Sequence, residues 1–133
     1  VSMISCGAQA IIPKIAGLHF KDMEYIEVVT TIASKSAGVG TRDNMSEYLQ
    51  TTAKAITNFF NVAAKAIFII NPAEPPISMF NTIYIKRKNK TKPYILQFHV
   101  RGSGYLKPWE GNLHIINCAA IKVAEAYGKN HLN

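Results

Sequence analysis

Two thiols, Cys6 and Cys118, and four imidazoles, His19, His99, His114 and His131, are the side chains best suited to nucleophilic or acid–base work in this sequence. Their spacing matches neither a disulfide framework nor a metal site. Cys6 is the better placed thiol. It lies in Ser2-Met3-Ile4-Ser5-Cys6-Gly7-Ala8-Gln9-Ala10-Ile11-Ile12-Pro13. There a short apolar run meets a helix expected over Ala8 to Gly17, with Ile11, Ile12, Ile15 and Ala16 on its buried face. Gly7 frees the backbone to turn sharply and approach a ligand. Free amides and the positive end of the helix dipole favour a thiolate at such a junction, but the dipole contributes only about 0.3–1 kcal/mol. One pKa unit is roughly 1.4 kcal/mol, so the thiol should fall by less than about one unit from its usual value near ~8.5. A useful nucleophile needs another positive or hydrogen-bonding group beside it. From the local residues alone Cys6 is either a small core residue or a nucleophile. Cys118, within a helix and without a local activating partner, reads as core.

The elements that must position Cys6 follow in order. Tyr25 to Ile32 is rich in β-branched residues and reads as a buried strand. It feeds Ser34-Lys35-Ser36-Ala37-Gly38-Val39-Gly40-Thr41-Arg42-Asp43-Asn44, whose two glycines permit positive φ and an anion-binding concavity of amides. That stretch has neither the third glycine of a dinucleotide fingerprint nor the lysine of a P-loop, so a plain structural turn stays open beside a phosphate-binding one. A helix follows, with Asn44 as N-cap, Glu47 completing a capping box, and Met45, Tyr48, Leu49, Thr52, Ala55, Ile56 and Phe59 at helical spacing. Ala66 to Ile70 reads as a fully buried strand, stopped by Asn71-Pro72-Ala73-Glu74-Pro75-Pro76. Strands Thr82 to Lys86 and Tyr94 to Val100 flank a link, Lys86 to Lys92, that holds five positive charges. It is read as a solvated hairpin tip; the rival reading is an RNA-binding ribbon with Tyr84, Tyr94 and Phe98 as stacking faces. Asn112 is expected to cap a final helix with Ile115, Ile116, Ala119, Ala120, Val123 and Ala124 on its apolar face and Gly128 as its stop.

Composition sets the outer limits. A chain of 133 residues, 48% hydrophobic and 17% charged, is long enough to bury a core and reads as one globular domain, residues 1–133. Its net charge of +7 keeps nucleic acid, acidic lipid and phosphate-bearing small molecules open as partners. No apolar run approaches the ~20 residues that span a bilayer. A reducing, cytoplasmic setting is expected from the two cysteines. The chain begins without Met and in mid-pattern, which leads us to expect a piece of a longer protein.

Taken together, Ser5 to Pro13, Ser34 to Arg42, Asn71 to Pro76 and Glu110-Gly111-Asn112-Leu113 resemble the CoA-acylating (acetylating) acetaldehyde dehydrogenases. The likeness runs through most of the chain and covers the catalytic and dimerisation half of that family, which in the full-length proteins follows an NAD-binding Rossmann domain absent from this chain. It implies an α+β fold, a mixed or antiparallel sheet with helices on one face, resembling the C-terminal domain of the glyceraldehyde-phosphate and aspartate-semialdehyde dehydrogenases. It implies that Cys6 forms the acyl thioester in an NAD- and CoA-dependent oxidation of acetaldehyde or another short aldehyde, with amides at the helix start meeting the oxyanion. Ser36, Ala37, Gly38, Val39, Gly40, Thr41, Arg42, Asp43 and Asn44 match the stretch that lines the cofactor, and Asn112 matches an asparagine at its nicotinamide end. A homodimer and a 4-hydroxy-2-oxovalerate-type aldolase are the protein partners implied.

Three departures accompany the resemblance. Asn81 stands where the family has a carboxylate that assists the cysteine through water; an amide orients water but is no base near neutrality. A longer segment of the family is missing between the strands joined here by Lys86 to Pro93. Without the Rossmann half, most NAD contacts have to come from another chain or from residues missing here, so activity of the chain by itself is left open, and the final helix is expected to show an unpartnered apolar face. Two other readings follow from the same residues: a degenerate, non-catalytic domain kept for dimerisation or aldolase docking, and a basic RNA-binding module centred on Lys86 to Lys92.

Overall fold

The computed structural model describes residues 5–132; Ser2-Met3-Ile4 and the side chain of His131 lie outside what it describes. Helix α1 (Cys6–Ala16) leads into strand β1 (Met23–Ala33). After a single tight turn at Ser34–Ser36 come helices α2 (Val39–Asp43) and α3 (Met45–Phe60). Strands β2 (Ala63–Asn71), β3 (Met79–Arg87) and β4 (Tyr94–Val100) precede a long helix, α4 (Gly111–Leu132). The strands form one sheet in the order β2-β1-β3-β4. Strand β1 runs parallel to β2 and antiparallel to β3, and β4 is antiparallel to β3. This is the expected α+β class with a mixed sheet. A parallel pair needs a crossover, and α2 and α3 supply it between β1 and β2.

Strand alternation decides which residues meet the helices. Ile26, Val28, Thr30 and Ile32 of β1 are buried, while Tyr25, Glu27, Val29 and Thr31 between them are only half-buried. Register carries the pattern across the sheet, with Ile26 opposite Ile85, Val28 opposite Ile83 and Thr30 opposite Asn81. Ile11 and Ile15 of α1 and Ile56 of α3 close on this face to form the main core. Burying an isoleucine is worth about 1.5–3 kcal/mol, so these side chains fix how α1 and α3 lie on the sheet. A second cluster, Ile32, Ala37 and Met79, carries Cys6, Phe68 and Ile115 at its margin.

Five expectations are corrected. Ala66 to Ile70 is not a fully buried strand: β2 is an edge strand with β1 as its one neighbour, and Ile69 remains 45% exposed. The glycines of the 34–44 stretch do not use positive φ. Gly38 is extended at φ −73° and Gly40 lies within α2; among the described glycines only Gly104 takes a positive φ. The stretch therefore winds into short helices instead of forming a concavity of amides. Asn44 stands at the head of α3, but its side chain turns back to donate to the Gly40 carbonyl at 3.0 Å and does not cap. Helix α4 begins at Gly111, so Asn112 sits inside the first turn, and the helix continues through Gly128. A glycine costs a helix only about 1 kcal/mol relative to alanine, too little to end one by itself.

Helix α4 lies against α1, and its later residues are exposed all round, Ile121 on roughly the opposite side from Val123; of the apolar face expected from the sequence, Val123 and Ala124 are open and Ile115 and Ile116 are half-buried. The sheet face opposite the core is also open, with Ile69, Tyr84 and Ile95 all more than a third exposed. No helix among the described residues is long and apolar enough to cross a membrane.

Candidate active site

The N-terminus of α1 is built by Ser5 and by α3. Ser5 Oγ accepts from the Ala8 amide at 3.1 Å, which makes Ser5 the N-cap and Cys6 the first helical residue. The same hydroxyl pairs with Thr52 Oγ1. One turn earlier on α3, the Tyr48 hydroxyl lies 3.6 Å from Cys6 Sγ. Gly7 makes that approach possible: a Cβ there would collide with the Tyr48 oxygen. Its value is therefore space for a phenol, within a helix, and not the sharp turn read from the sequence.

Burial raises the Cys6 thiol above its ordinary pKa, against the smaller downward pull of the Tyr48 hydroxyl and of the Gly7 and Cys6 amides. The helix dipole alone predicts the opposite sign; here partial loss of water around a half-buried sulfur outweighs it. Tyr48 is pushed up too, first by burial and then by Cys6, and stays a neutral phenol. Thr30 exerts a small downward pull on the phenol, and its own hydroxyl donates to Asn81 Oδ1 at 2.8 Å.

A cavity of about 260 Å³ opens on the sulfur, walled by Cys6, Gly40, Thr41, Asn44, Tyr48, Phe68, Ile32 and Asn112. The sequence-selected residues divide accordingly. Cys6, Gly40, Thr41, Asn44 and Asn112 are brought together on its wall. Ser36 lies behind it, donating through its hydroxyl to Asn112 Oδ1 and accepting from Asn112 Nδ2 at its carbonyl, 3.4 Å away. Asn112 is thus a positioned wall residue and not a helix cap. Ala37 packs with Ile32 and Met79. Arg42 ties the loop to itself, reaching the Ala37 carbonyl at 3.3 Å and Ser34 Oγ at 2.8 Å. Gly38, Val39 and Asp43 face outward. Asn81 is off the cavity wall, fully buried, and its Nδ2 has no protein partner.

Cys118 is not core. It is partly exposed, with both ring nitrogens of His114 within 3.6–3.8 Å of its sulfur. The basic link lies elsewhere. Arg87 and Lys86 pair with Met23 and Tyr25 at the start of β1, whereas the cavity touches Ile32 near its end. Nine residues of strand separate the two, about 30 Å.

Tyr48, Thr30 and Thr52 are the residues that sequence reasoning missed. By spacing alone Tyr48 is part of an apolar helical face; the available signal is that a buried tyrosine hydroxyl must find a partner.

A family model described as prokaryotic acetaldehyde dehydrogenase, dimerisation, matches residues 6–102. The chain belongs to this family. Among curated relatives, the acetaldehyde dehydrogenase of Pectobacterium atrosepticum is 40% identical over 171 positions, covering 97% of this chain and 57% of the relative. That of Geobacillus stearothermophilus is 37% identical over 169 positions (99% and 58%), and that of Spirochaeta aurantia 38% over 165 (97% and 56%). The chain spans somewhat more than half the length of these acetaldehyde dehydrogenases. The alignments are longer than its 133 residues, so each relative carries positions that have no counterpart here.

Proposed function

We propose that this chain is the catalytic and dimerisation domain of a CoA-acylating acetaldehyde dehydrogenase, with Cys6 as the residue that carries the acyl group. The observation that supports this most is the cavity that joins Cys6, Gly40, Thr41 and Asn112, residues 34 or more positions apart from Cys6 in sequence, around one sulfur.

The residues present fit the reactive end of a nicotinamide and not its phosphates. Asn112 and Thr41 offer amide and hydroxyl partners on the wall. Gly38 and Gly40 face open space, with nothing within 4 Å of an added Cβ, and α2 is only five residues long, so no backbone cradle closes on a phosphate here. When bound, NAD would accept the hydride and CoA the acyl group. This chain's own work is on the sulfur and the carbonyl oxygen. The Cys6 thiolate adds to the aldehyde carbon, and after the hydride leaves, the carbon remains as a thioester on Cys6. The Ala8 amide is committed to Ser5, which narrows the expected oxyanion donors at the helix start. Asn112 Nδ2 has two hydrogens and commits one to Ser36, leaving the other for the developing oxyanion. Asn81 serves as a buried neutral partner of Thr30, with no basic group to offer the thiol.

The open sheet face of Ile69, Tyr84 and Ile95 is the surface for a homodimer, in line with the dimerisation that the family description names. A non-catalytic dimerisation domain is the second reading, favoured by the raised thiol. Supplying acetaldehyde, CoA and NAD and following NADH decides between them. We expect NADH from the native chain when it is joined to its natural N-terminal extension, and none from the same protein carrying Cys6→Ser. Equal signals from the two proteins, whether both positive or both nil, contradict the catalytic reading.

A further inference from the structure

We propose that Tyr48 is a further catalytic residue of this site, the hydrogen-bond donor that stabilises the Cys6 thiolate and fixes its sulfur, held in turn by Thr30 and Asn81. The proposal rests on Cys6 being the nucleophile.

Helix α3 presents two hydroxyls four residues apart, on the same face, to the first turn of α1: Tyr48 to Cys6 at 3.6 Å and Thr52 to Ser5. The phenol occupies space that any side chain at position 7 would take. Its ring is set edge-on against Phe68, centroids 4.7 Å apart, so the hydroxyl is aimed by packing as well as by hydrogen bonds.

Behind it the bonds have a fixed direction. The carboxamide oxygen of Asn81 can only accept, so Thr30 gives it its proton at 2.8 Å and turns a lone pair towards Tyr48. With Cys6 as a thiol, the S–H donates to the Tyr48 oxygen, and the phenol proton is free to turn to the Thr30 oxygen, whose own proton is spent on Asn81. When Cys6 ionises, its proton leaves through the cavity to water, and the phenol O–H rotates from Thr30 to the sulfur. No heavy atom needs to move. Burial keeps the phenol neutral, so Tyr48 acts as a donor throughout and never as a base. A hydrogen bond to an ionised partner is about twice as strong as one between neutral groups, and the rotation therefore favours the thiolate.

The test is alkylation of the full chain by iodoacetamide across pH, read peptide by peptide so that Cys118 serves as internal control. Tyr48→Phe should move the Cys6 half-point upward by about one unit, slowing alkylation at neutral pH about 10-fold, with Cys118 unchanged. Superimposed Cys6 profiles would overturn the proposal. If Tyr48→Phe does not fold, as judged by circular dichroism, Thr30→Val probes the same pair from the other side. Removing the competing acceptor commits the phenol to the sulfur and should lower the half-point; an unmoved or raised one overturns the proposal. Neither readout needs aldehyde, NAD or CoA. A shifted profile without acyl transfer to Cys6 would sink the function and leave the Tyr48 pair standing, and the reverse result would do the opposite.

Discussion

Cys6 was legible in the sequence as a thiol at a helix start, and the Ser5 cap and the Cys6 position bear that out. Its electrostatics were not legible. The local residues give the dipole and the amides, whereas the burial depends on residues distant in sequence, among them Tyr48, Phe68, Ile32 and Asn112 around the same cavity. Asn81 shows the same limit: its type is plain in the sequence, but only the fold shows it bonded to Thr30. The raised thiol has a consequence for stability. Above the ordinary thiol pKa near ~8.5 the unfolded chain ionises while the folded one still holds its proton. The stabilisation is therefore complete below that value and is lost as pH rises from it through the folded-state pKa. Urea unfolding of native protein should weaken with pH in that alkaline window relative to Cys6→Ser; parallel pH curves for the two would contradict the burial of the thiol.

At the scale of elements, β-branched runs located β1, β3 and β4 well, because strand alternation is written locally. What failed was any property set by an element's neighbours. Ala66 to Ile70 has the composition of a buried strand, but edge position is decided by the order of the sheet. Phe59 and Ile56 illustrate the same point on α3. Both fall at helical spacing, yet Ile56 is fully buried in the main core and Phe59 is 62% exposed. Ile56→Ala should cost about 2–5 kcal/mol and Phe59→Ala within about 0.5 kcal/mol by urea unfolding. Equal losses at the two sites would contradict the packing of α3 on the sheet.

Across the whole molecule the sheet separates two regions. Cys6 lies towards the end of β1, and the basic link lies beside its beginning, too far away to hold a ligand against the sulfur. Lys86 pairs with Glu24 at 3.4 Å and Arg87 with Asp22 at 2.9 Å, in keeping with a solvated tip. The resemblance implies a dimer; the open face carrying Tyr84 and Ile95 is the surface we propose for it, and that face is visible only once the sheet order is known. Ile95, on edge strand β4, is 53% exposed, so Ile95→Glu should leave folding intact and shift the native protein from dimer to monomer in sedimentation. A dimer undisturbed by that charge would place the interface elsewhere.

The central claim, that Cys6 accepts the acyl group, is tested most directly by running the last step backwards. Acetyl-CoA is supplied to the native chain alone, and acetylation is mapped by peptide mass. We predict one acetyl group on Cys6, removed by added CoA, with Cys118 bare. Acetyl on Cys118 alone, or none on either thiol, would contradict the account.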